Sequence, residues 1–492
     1  MAATVIEASV SRGAAGTRAL ALALAFTFGL LAFLFVDSVR SNASLVWTFA
    51  GAVAALLAWN AALLASAVRS GRTLSVAIVL RKQHYLQACI QGSLLVYWGW
   101  YWRQVYDSAH LIAAQLLFAY AFDMLLSWSR RDVYALGFGP FPVVFSMNLF
   151  LWFRPDWFYF QFLMVAFGFA AKELLRWDKD GRSVHIFNPS SFPLAVFSLA
   201  LIVTGTTDLT WGQDIATTLF YPPHMYLALF LLALPGQFLF GVTTMTMSAV
   251  LTTYLFGLLY YATTGIYFFY DSYIPIAVFL GMHLLFTDPA TAPRTDLGRV
   301  MFGVLYGIST IALYALLGNL GLPTFYDKLL QIPILNVSIK VIDRLARSNA
   351  LQRIDPTAIV RSLAPRQRHL AYMAVWAVVF AVMSAVQGVG DSHPGQWLPF
   401  WQQACADGRP YACPYLESIM SSDCDRGSPW ACEELAILQD RPDRYRPHTL
   451  ASATAEDYPI ILRGAKGPLR DVSRAGLEAL ACREGWPGTC DR

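Results

Sequence analysis

Two short polar stretches interrupt an otherwise apolar chain, and both carry residue types suited to gripping an anion. The first is His185-Ile186-Phe187-Asn188-Pro189-Ser190-Ser191. The second is Thr287-Asp288-Pro289-Ala290-Thr291-Ala292-Pro293-Arg294, continued by Thr295-Asp296-Leu297-Gly298-Arg299. In each, Asn or Asp precedes Pro, the order expected of an N-cap residue followed by proline at the first helical position. Helix N-termini expose N–H groups that no intrahelical carbonyl accepts, and these attract anions. Asn188, Pro189, Ser190, Thr287, Asp288, Arg294 and Arg299 therefore form a candidate site for a phosphate-bearing cofactor or an anionic substrate. The plainer alternative is that both stretches simply cap helices at a membrane boundary. His283 joins the set as an ionisable group inside an apolar run. Such groups are costly in lipid and face the protein interior; for His283 the alternative role is hydrogen-bonded packing. Asp123 reads as a carboxylate near one end of its apolar run, and Lys172 and Glu173 as charges at headgroup level.

Six of the seven cysteines follow the last apolar run, as Cys405/Cys413, Cys424/Cys432 and Cys482/Cys490, each spaced Cys-x7-Cys; Cys89 stands apart. An even number of regularly spaced cysteines reads as a disulfide framework. Zinc-binding pairs usually stand two to four residues apart; free or metal-bound thiols are the alternative. The chain has no Gly-x-x-x-x-Gly-Lys-Ser/Thr loop, no His-Glu-x-x-His and no Gly-x-Ser-x-Gly. Nucleotide-driven pumping and autonomous hydrolysis thus have no visible machinery, and no catalytic or metal-binding residue is assigned.

The elements that must position these groups are set by composition. Of 492 residues, 56% are hydrophobic and 14% charged, against about 25% charged in ordinary soluble domains. So few charges cannot coat a water-soluble protein of this size, and a net charge of +4 is too small for a nucleic-acid footprint. About 20 apolar residues cross a bilayer, and thirteen stretches qualify: Thr17–Val36, Leu45–Val68, Leu86–Trp102, Ala109–Trp128, Tyr134–Phe153, Trp157–Leu175, Ser190–Thr206, Pro222–Phe240, Thr243–Thr264, Ser272–Phe286, Arg299–Leu317, Phe325–Ile342 and His369–Gln387. The tenth and twelfth are the weakest; Gln331, Pro333, Asn336 and Lys340 interrupt the twelfth. Tryptophan- and phenylalanine-rich runs such as "LLVYWGWYW" fit interfacial belts.

Basic residues gather in alternate loops. One set holds Arg69, Arg72, Arg81 and Lys82, then Arg130 and Arg131, then Arg176, Lys179 and Arg182, then Arg294, and finally Arg344, Arg347, Arg353, Arg361, Arg366 and Arg368. The other holds only Arg40, Arg103, Arg154 and Lys328. Lys and Arg concentrate on the cytoplasmic side, which puts the N-terminus in the cytoplasm. An odd number of spans then puts the cysteine-bearing tail outside.

The segments "HIFNPSSFPLAVFSLALIVTG" and "MHLLFTDPATAPRTDLGRVMFGVLYG" resemble the signature segments of the RnfD/NqrB family of membrane subunits, and most closely its UnbU relatives from enediyne-biosynthesis clusters. The similarity covers roughly Tyr85 to Ala346. It implies an all-α polytopic membrane protein of the bacterial inner membrane, with about thirteen transmembrane helices and an RnfD/NqrB-like core with internal repeats. It also implies flavin and electron transfer within a larger complex. In that family FMN is esterified to the threonine of a Ser-Gly-Ala-Thr motif, which this chain lacks. Thr204-Gly205-Thr206-Thr207 and Ala216-Thr217-Thr218 are only fragments of it. The expectation is therefore a flavin bound noncovalently, not covalent FMN. The tail segments "ACADGRPYAC", "DCDRGSPWACEEL" and "ACREGWPGTC" resemble cysteine-containing Sel1-like repeats, which implies bridges stapling antiparallel helices. The first two pairs are too close for full two-helix repeats, so the tail is read as a small stapled helical domain.

The resulting organisation is a two-span extension with its loop (1–84), the membrane core (85–346), a basic loop and last span (347–388), and an extracytoplasmic Cys-x7-Cys domain (389–492). Partners are the lipid bilayer and other membrane or extracytoplasmic subunits. Three functions stay open: a redox subunit, a transporter-like protein for an anionic or biosynthetic solute, and a scaffold presenting its tail to a partner.

Overall fold

The computed structural model describes residues 16–179, 181–270, 272–386, 389–390, 393–440, 445–446, 453–454, 457–462, 474–483 and 490. The residues before Gly16, and Gln387 at the expected end of the last span, lie outside them.

The chain is mostly helical, and among the described residues five helices are long and apolar enough to cross a membrane, the mark of a membrane protein. The main helices are α1 (Gly16–Ala32), α2 (Ala43–Ser70), α3 (Lys82–Tyr101), α4 (Ala109–Arg130), α5 (Pro140–Asn148), α6 (Tyr159–Leu174), α7 (Ser191–Thr204), α8 (Met225–Phe240), α9 (Thr243–Thr264), α10 (Ile276–Leu280, continued by a π-turn at Gly281–Leu285), α11 (Asp296–Asn319), α12 (Ile332–Ala346) and α13 (Pro365–Ala385). The five long apolar ones are α2, α4, α9, α11 and α13. Local chemistry sets their ends. Asn42 accepts from the Leu45 N–H at 3.1 Å to start α2, and Gly71, at φ 64°, ends it; left-handed backbone there suits glycine. Thr295 Oγ1 accepts from the Gly298 N–H at 3.1 Å to start α11.

Three expected spans take other forms. The fifth contains a helix of only 9 residues, α5, about 14 Å long at 1.5 Å per residue. The stretch begins in a strand, Val133–Leu136, and its far end, Leu149–Phe153, is buried and outside the helix. Non-helical backbone at membrane depth is tolerated only where protein encloses it. The tenth winds into a π-turn, and the twelfth begins as a 3-10 turn, Thr324–Lys328, before α12. The mostly helical chain is consistent with the expected all-α class, to which the loops add a little strand. Among the described residues, four short strands form two sheets: β1 (Ser75–Ile78) pairs parallel with β2 (Val133–Leu136), and β3 (Arg176–Lys179) pairs antiparallel with β4 (Arg182–His185). All lie in loops whose backbone groups need partners: β1 and β2 join two different loops, whereas β3 and β4 form a hairpin within one.

The chain divides into two compact units. One comprises residues up to Ala216, Leu231–Ala249 and Leu280–Met373; the other comprises Thr217–Phe230, Val250–Phe279 and Ala374 onward. In the first unit the connecting loops sort into two groups. The arginine-rich ones bind one another: β1 pairs with β2, Arg72 Nη2 lies 2.7 Å from Asp132, Arg131 Nη2 donates to Glu173 at 2.7 Å, and Lys179 Nζ donates to the Ala292 carbonyl at 2.7 Å. The arginine-poor ones do likewise. Asn42 Nδ2 donates to Asp156 at 2.8 Å, Ser38 Oγ lies 2.9 Å from His110 Nε2, and the Arg154 N–H donates to the Leu209 carbonyl at 2.9 Å. Two loop groups that each bind internally are the pattern expected of a chain passing back and forth between two faces.

The second unit contains the tail helices α14 (Leu398–Ala406), α15 (Ala412–Asp425) and α16 (Pro429–Asp440). Disulfides join Cys405 to Cys413 and Cys424 to Cys432, each across the turn between successive helices; a third joins Cys482 to Cys490. All three local pairings expected from the spacing are present. Because α15 carries a cysteine of each of the first two bridges, one helix serves two staples, which is why those pairs stand so close in sequence. Trp401, Leu416, Met420 and Trp430 form the tail's core together with Ile266 and Tyr267. Arg409 Nη1 also donates to the Gly265 carbonyl at 2.8 Å, so the tail is anchored on the loop between α9 and α10.

Candidate functional site

The two polar stretches, about a hundred residues apart in sequence, come together in the first unit. His185 Nε2 donates to Asp288 Oδ2 at 2.9 Å, and Asn188 Nδ2 donates to the Leu285 carbonyl at 3.0 Å. The Asn188 N–H is accepted by Asn336 Oδ1 at 3.2 Å, and Asn336 Nδ2 reaches the Thr291 carbonyl at 3.5 Å. Asn336 on α12 therefore bridges both stretches. Gly168 on α6 lets the first stretch close in: a Cβ there would meet the Pro189 carbonyl, and the Met147 and Pro193 side chains at 2.9 and 3.2 Å.

At this junction the proteins' own side chains already accept the helix-terminal amides. Asn188 Oδ1 accepts from the N–H groups of Ser190 and Ser191, at 2.9 and 3.1 Å, and from the Ser190 hydroxyl. Asp288 Oδ1 accepts from the Ala290 N–H at 3.1 Å, and Thr291 Oγ1 donates to Asp288 Oδ2 at 3.1 Å. The buried Asp343 carboxylate takes the N–H groups of Arg294 and Thr295, all at 3.0 Å. Arg299 is engaged by the Pro293 carbonyl at 3.1 Å and by Asp296 at 3.3 Å. Asp296 also meets Arg368 at 3.1 Å. These amides do not form an open cradle for a phosphate, and capping is the role their geometry carries. Pro189 and Thr287 complete the two turns; the Thr287 hydroxyl donates to the His283 carbonyl at 2.9 Å, and His283 is buried in the π-turn.

The electrostatics are asymmetric. Burial pushes the Asp288 carboxyl up, but His185, the Ala290 N–H and the Thr291 hydroxyl outweigh it and hold the carboxyl below its ordinary value. His84, at the start of α3, faces the same charges. Burial, then Lys172 and Arg81, pull its pKa down to about 4 against the opposing pull of Asp288. Near the junction, then, an ionised carboxylate bonded to His185 sits within the electrostatic reach of a His84 imidazole that burial keeps neutral at physiological pH.

Sequence reasoning missed His84, Asn336 as a bridge and Asp343. The last two had a signal: they stand seven residues apart on the stripe of α12 that buries Ile332, Leu335, Ile339 and Ile342, and so share one helix face. Asp123 accepts from the Tyr134 hydroxyl of β2 at 3.2 Å, and Glu173 pairs with Arg131, both as expected of groups at a span's end. Lys328 differs from expectation. It is not an exposed loop charge but is 3% exposed, paired with Asp327 at 3.0 Å, which is itself 1% exposed.

A second polar cluster lies beside α5. Gln115 and Asn148 exchange two hydrogen bonds at 3.0 and 2.8 Å, Gln161 Nε2 donates to Gln115 Oε1 at 3.1 Å, and Gln91 Nε2 donates to Ser146 Oγ at 2.8 Å. A cavity of about 10 Å³, room for a single water, is lined by Gln115, Asn148, Gln161, Trp152 and Trp211. Among the described residues, no group of three or more His, Cys, Asp or Glu could hold a metal ion.

Compared with protein-family models, with curated proteins and with solved structures, the chain matches none.

Proposed function

We propose that this chain is a membrane subunit of the RnfD/NqrB kind, working inside a larger electron-transfer complex in the bacterial inner membrane. One observation carries the reading: the two segments that resemble that family's signatures fold onto each other, joined by His185–Asp288 and by Asn188 and Asn336. Segments with separate roles need not meet; segments serving one site must. Given the thirteen crossings read from the apolar runs, an arginine-rich loop group facing the cytoplasm puts the N-terminus inside and the tail outside.

The cofactor expected from the resemblance is a flavin held without a covalent link. It would supply one- and two-electron chemistry. The capped amides at the junction do not fit its phosphate, so no step is derived through it there. What the residues do is hold two loops together and keep a carboxylate ionised beside neutral His84. Purification in mild detergent tests the reading. Flavin absorbance, with flavin released by acid, supports it; neither flavin absorbance nor extractable flavin overturns it.

A second reading, passage of a small solute, draws on the carboxamide cluster around α5. Buried polar side chains at membrane depth mark pathways. Solute uptake into proteoliposomes that Gln115→Leu abolishes would favour it.

A further inference from the structure

We propose that the segment between α12 and α13 is a built-in membrane-surface anchor that selects anionic phospholipid headgroups. Between Arg344 and Arg368 the chain holds six arginines and a single acidic residue, Asp355. Arg344, Arg347, Arg353, Arg361 and Arg366 are exposed. The same segment displays Ile359 at 87% exposure and Ile354 at 73%. Leu363 is exposed as well. Large apolar side chains rimmed by arginines, on a loop that begins and ends in apolar helices, match a surface that inserts between headgroups while its cations meet phosphates.

The loop is held in this form rather than left slack. Asp355 Oδ1 accepts from the Thr357 N–H at 2.8 Å and from its hydroxyl at 2.7 Å, and Asp355 also pairs with Arg361. Gln352 Nε2 donates to the Ala346 carbonyl at 2.6 Å, tying the segment to the end of α12. Asp355 and Thr357 are buried while Ile354 and Ile359 on either side project outward. A rigid turn that buries its polar residues and exposes its isoleucines has the opposite polarity to a solvent loop. The one local anion, Asp355, is spent on the turn itself. Arg368 turns to Asp296, while Arg344, Arg347, Arg353 and Arg366 face outward without acidic neighbours in the segment, and charge complementarity identifies the occupant as an anionic lipid surface. Each basic residue at such a surface contributes about a fivefold preference.

The test uses the full chain with Cys89→Ala and Ser362→Cys, labelled with a fluorophore at position 362, in bilayers of phosphatidylcholine and phosphatidylglycerol. Either lipid is supplied in brominated form, so that quenching reports which headgroup class sits at the loop. Brominated phosphatidylglycerol should quench more strongly, and added salt should erase the difference. Arg347→Gln/Arg353→Gln/Arg366→Gln should lower the selectivity about fivefold per arginine, with unchanged helical circular dichroism. Ile354→Ser/Ile359→Ser should weaken quenching by both lipids. Equal quenching by the two lipids in the parent protein, or none from either, would overturn the proposal. It does not depend on what the membrane core carries.

Discussion

Asp327 and Lys328 are buried side by side as opposite charges, and they illustrate how a residue's meaning depends on its partner. In water the pair would be worth little. Buried, each is tolerable only because the other is 3.0 Å away. Removing one partner leaves an uncompensated charge and costs about 3–5 kcal/mol, whereas replacing both with apolar residues of similar volume costs far less. Asp327→Asn and Lys328→Met should therefore each lower the unfolding temperature in detergent more than the double variant does. Additive losses would mean that the two charges are not coupled. His84 gives a second prediction, in pH. Its pKa falls from the ordinary 6.5 to about 4 in the fold, so the unfolded chain binds the proton more readily between those values. Stability from this residue is complete above 6.5 and is lost as pH falls toward 4. His84→Gln should flatten that limb of the stability profile; an unchanged profile would place the acid sensitivity elsewhere.

At the scale of elements, most of the architecture was legible in the sequence because lipid demands long apolar runs, and twenty such residues leave little choice but a helix. What escaped was local. Leu149–Phe153 is as apolar as a helix, so nothing in composition distinguishes the enclosed, irregular end of the fifth stretch from a continuing α5. The strands were hidden for the opposite reason: four-residue pieces such as Arg176–Lys179 are too short and too charged to show an apolar alternation, yet they pair in register. At the candidate site, sequence placed Asn188 and Asp288 correctly as caps before proline. It did not foresee that their own oxygens would occupy the amides thought available to an anion. Close packing makes the site testable through Gly168. A side chain there collides with the Pro189 carbonyl, so Gly168→Leu should cost about 1–3 kcal/mol and loosen the junction, read as faster hydrogen exchange in residues 185–191. In the tail, Cys424→Ser/Cys432→Ser should cost about 2–3 kcal/mol for so short a loop, lowering the tail's unfolding midpoint.

The whole molecule is organised by one asymmetry, and the structure gives it a physical form. Loops rich in arginine hydrogen-bond to one another through β1, β2 and the Arg131–Glu173 pair; loops poor in arginine bind through Asn42–Asp156 and Arg154–Leu209. The junction of the two polar stretches and the lipid-facing isoleucines fall in the first group. Everything proposed for these regions requires that group to face the cytoplasm. Labelling with a membrane-impermeant maleimide tests this most directly, using single cysteines placed in a Cys89→Ala background at Ser41 and at Ser362, both exposed. In intact spheroplasts the Ser41→Cys protein should react at once, and the Ser362→Cys protein only after lysis. Labelling of both before lysis, or the reverse order, would contradict the threading and the functional account built on it.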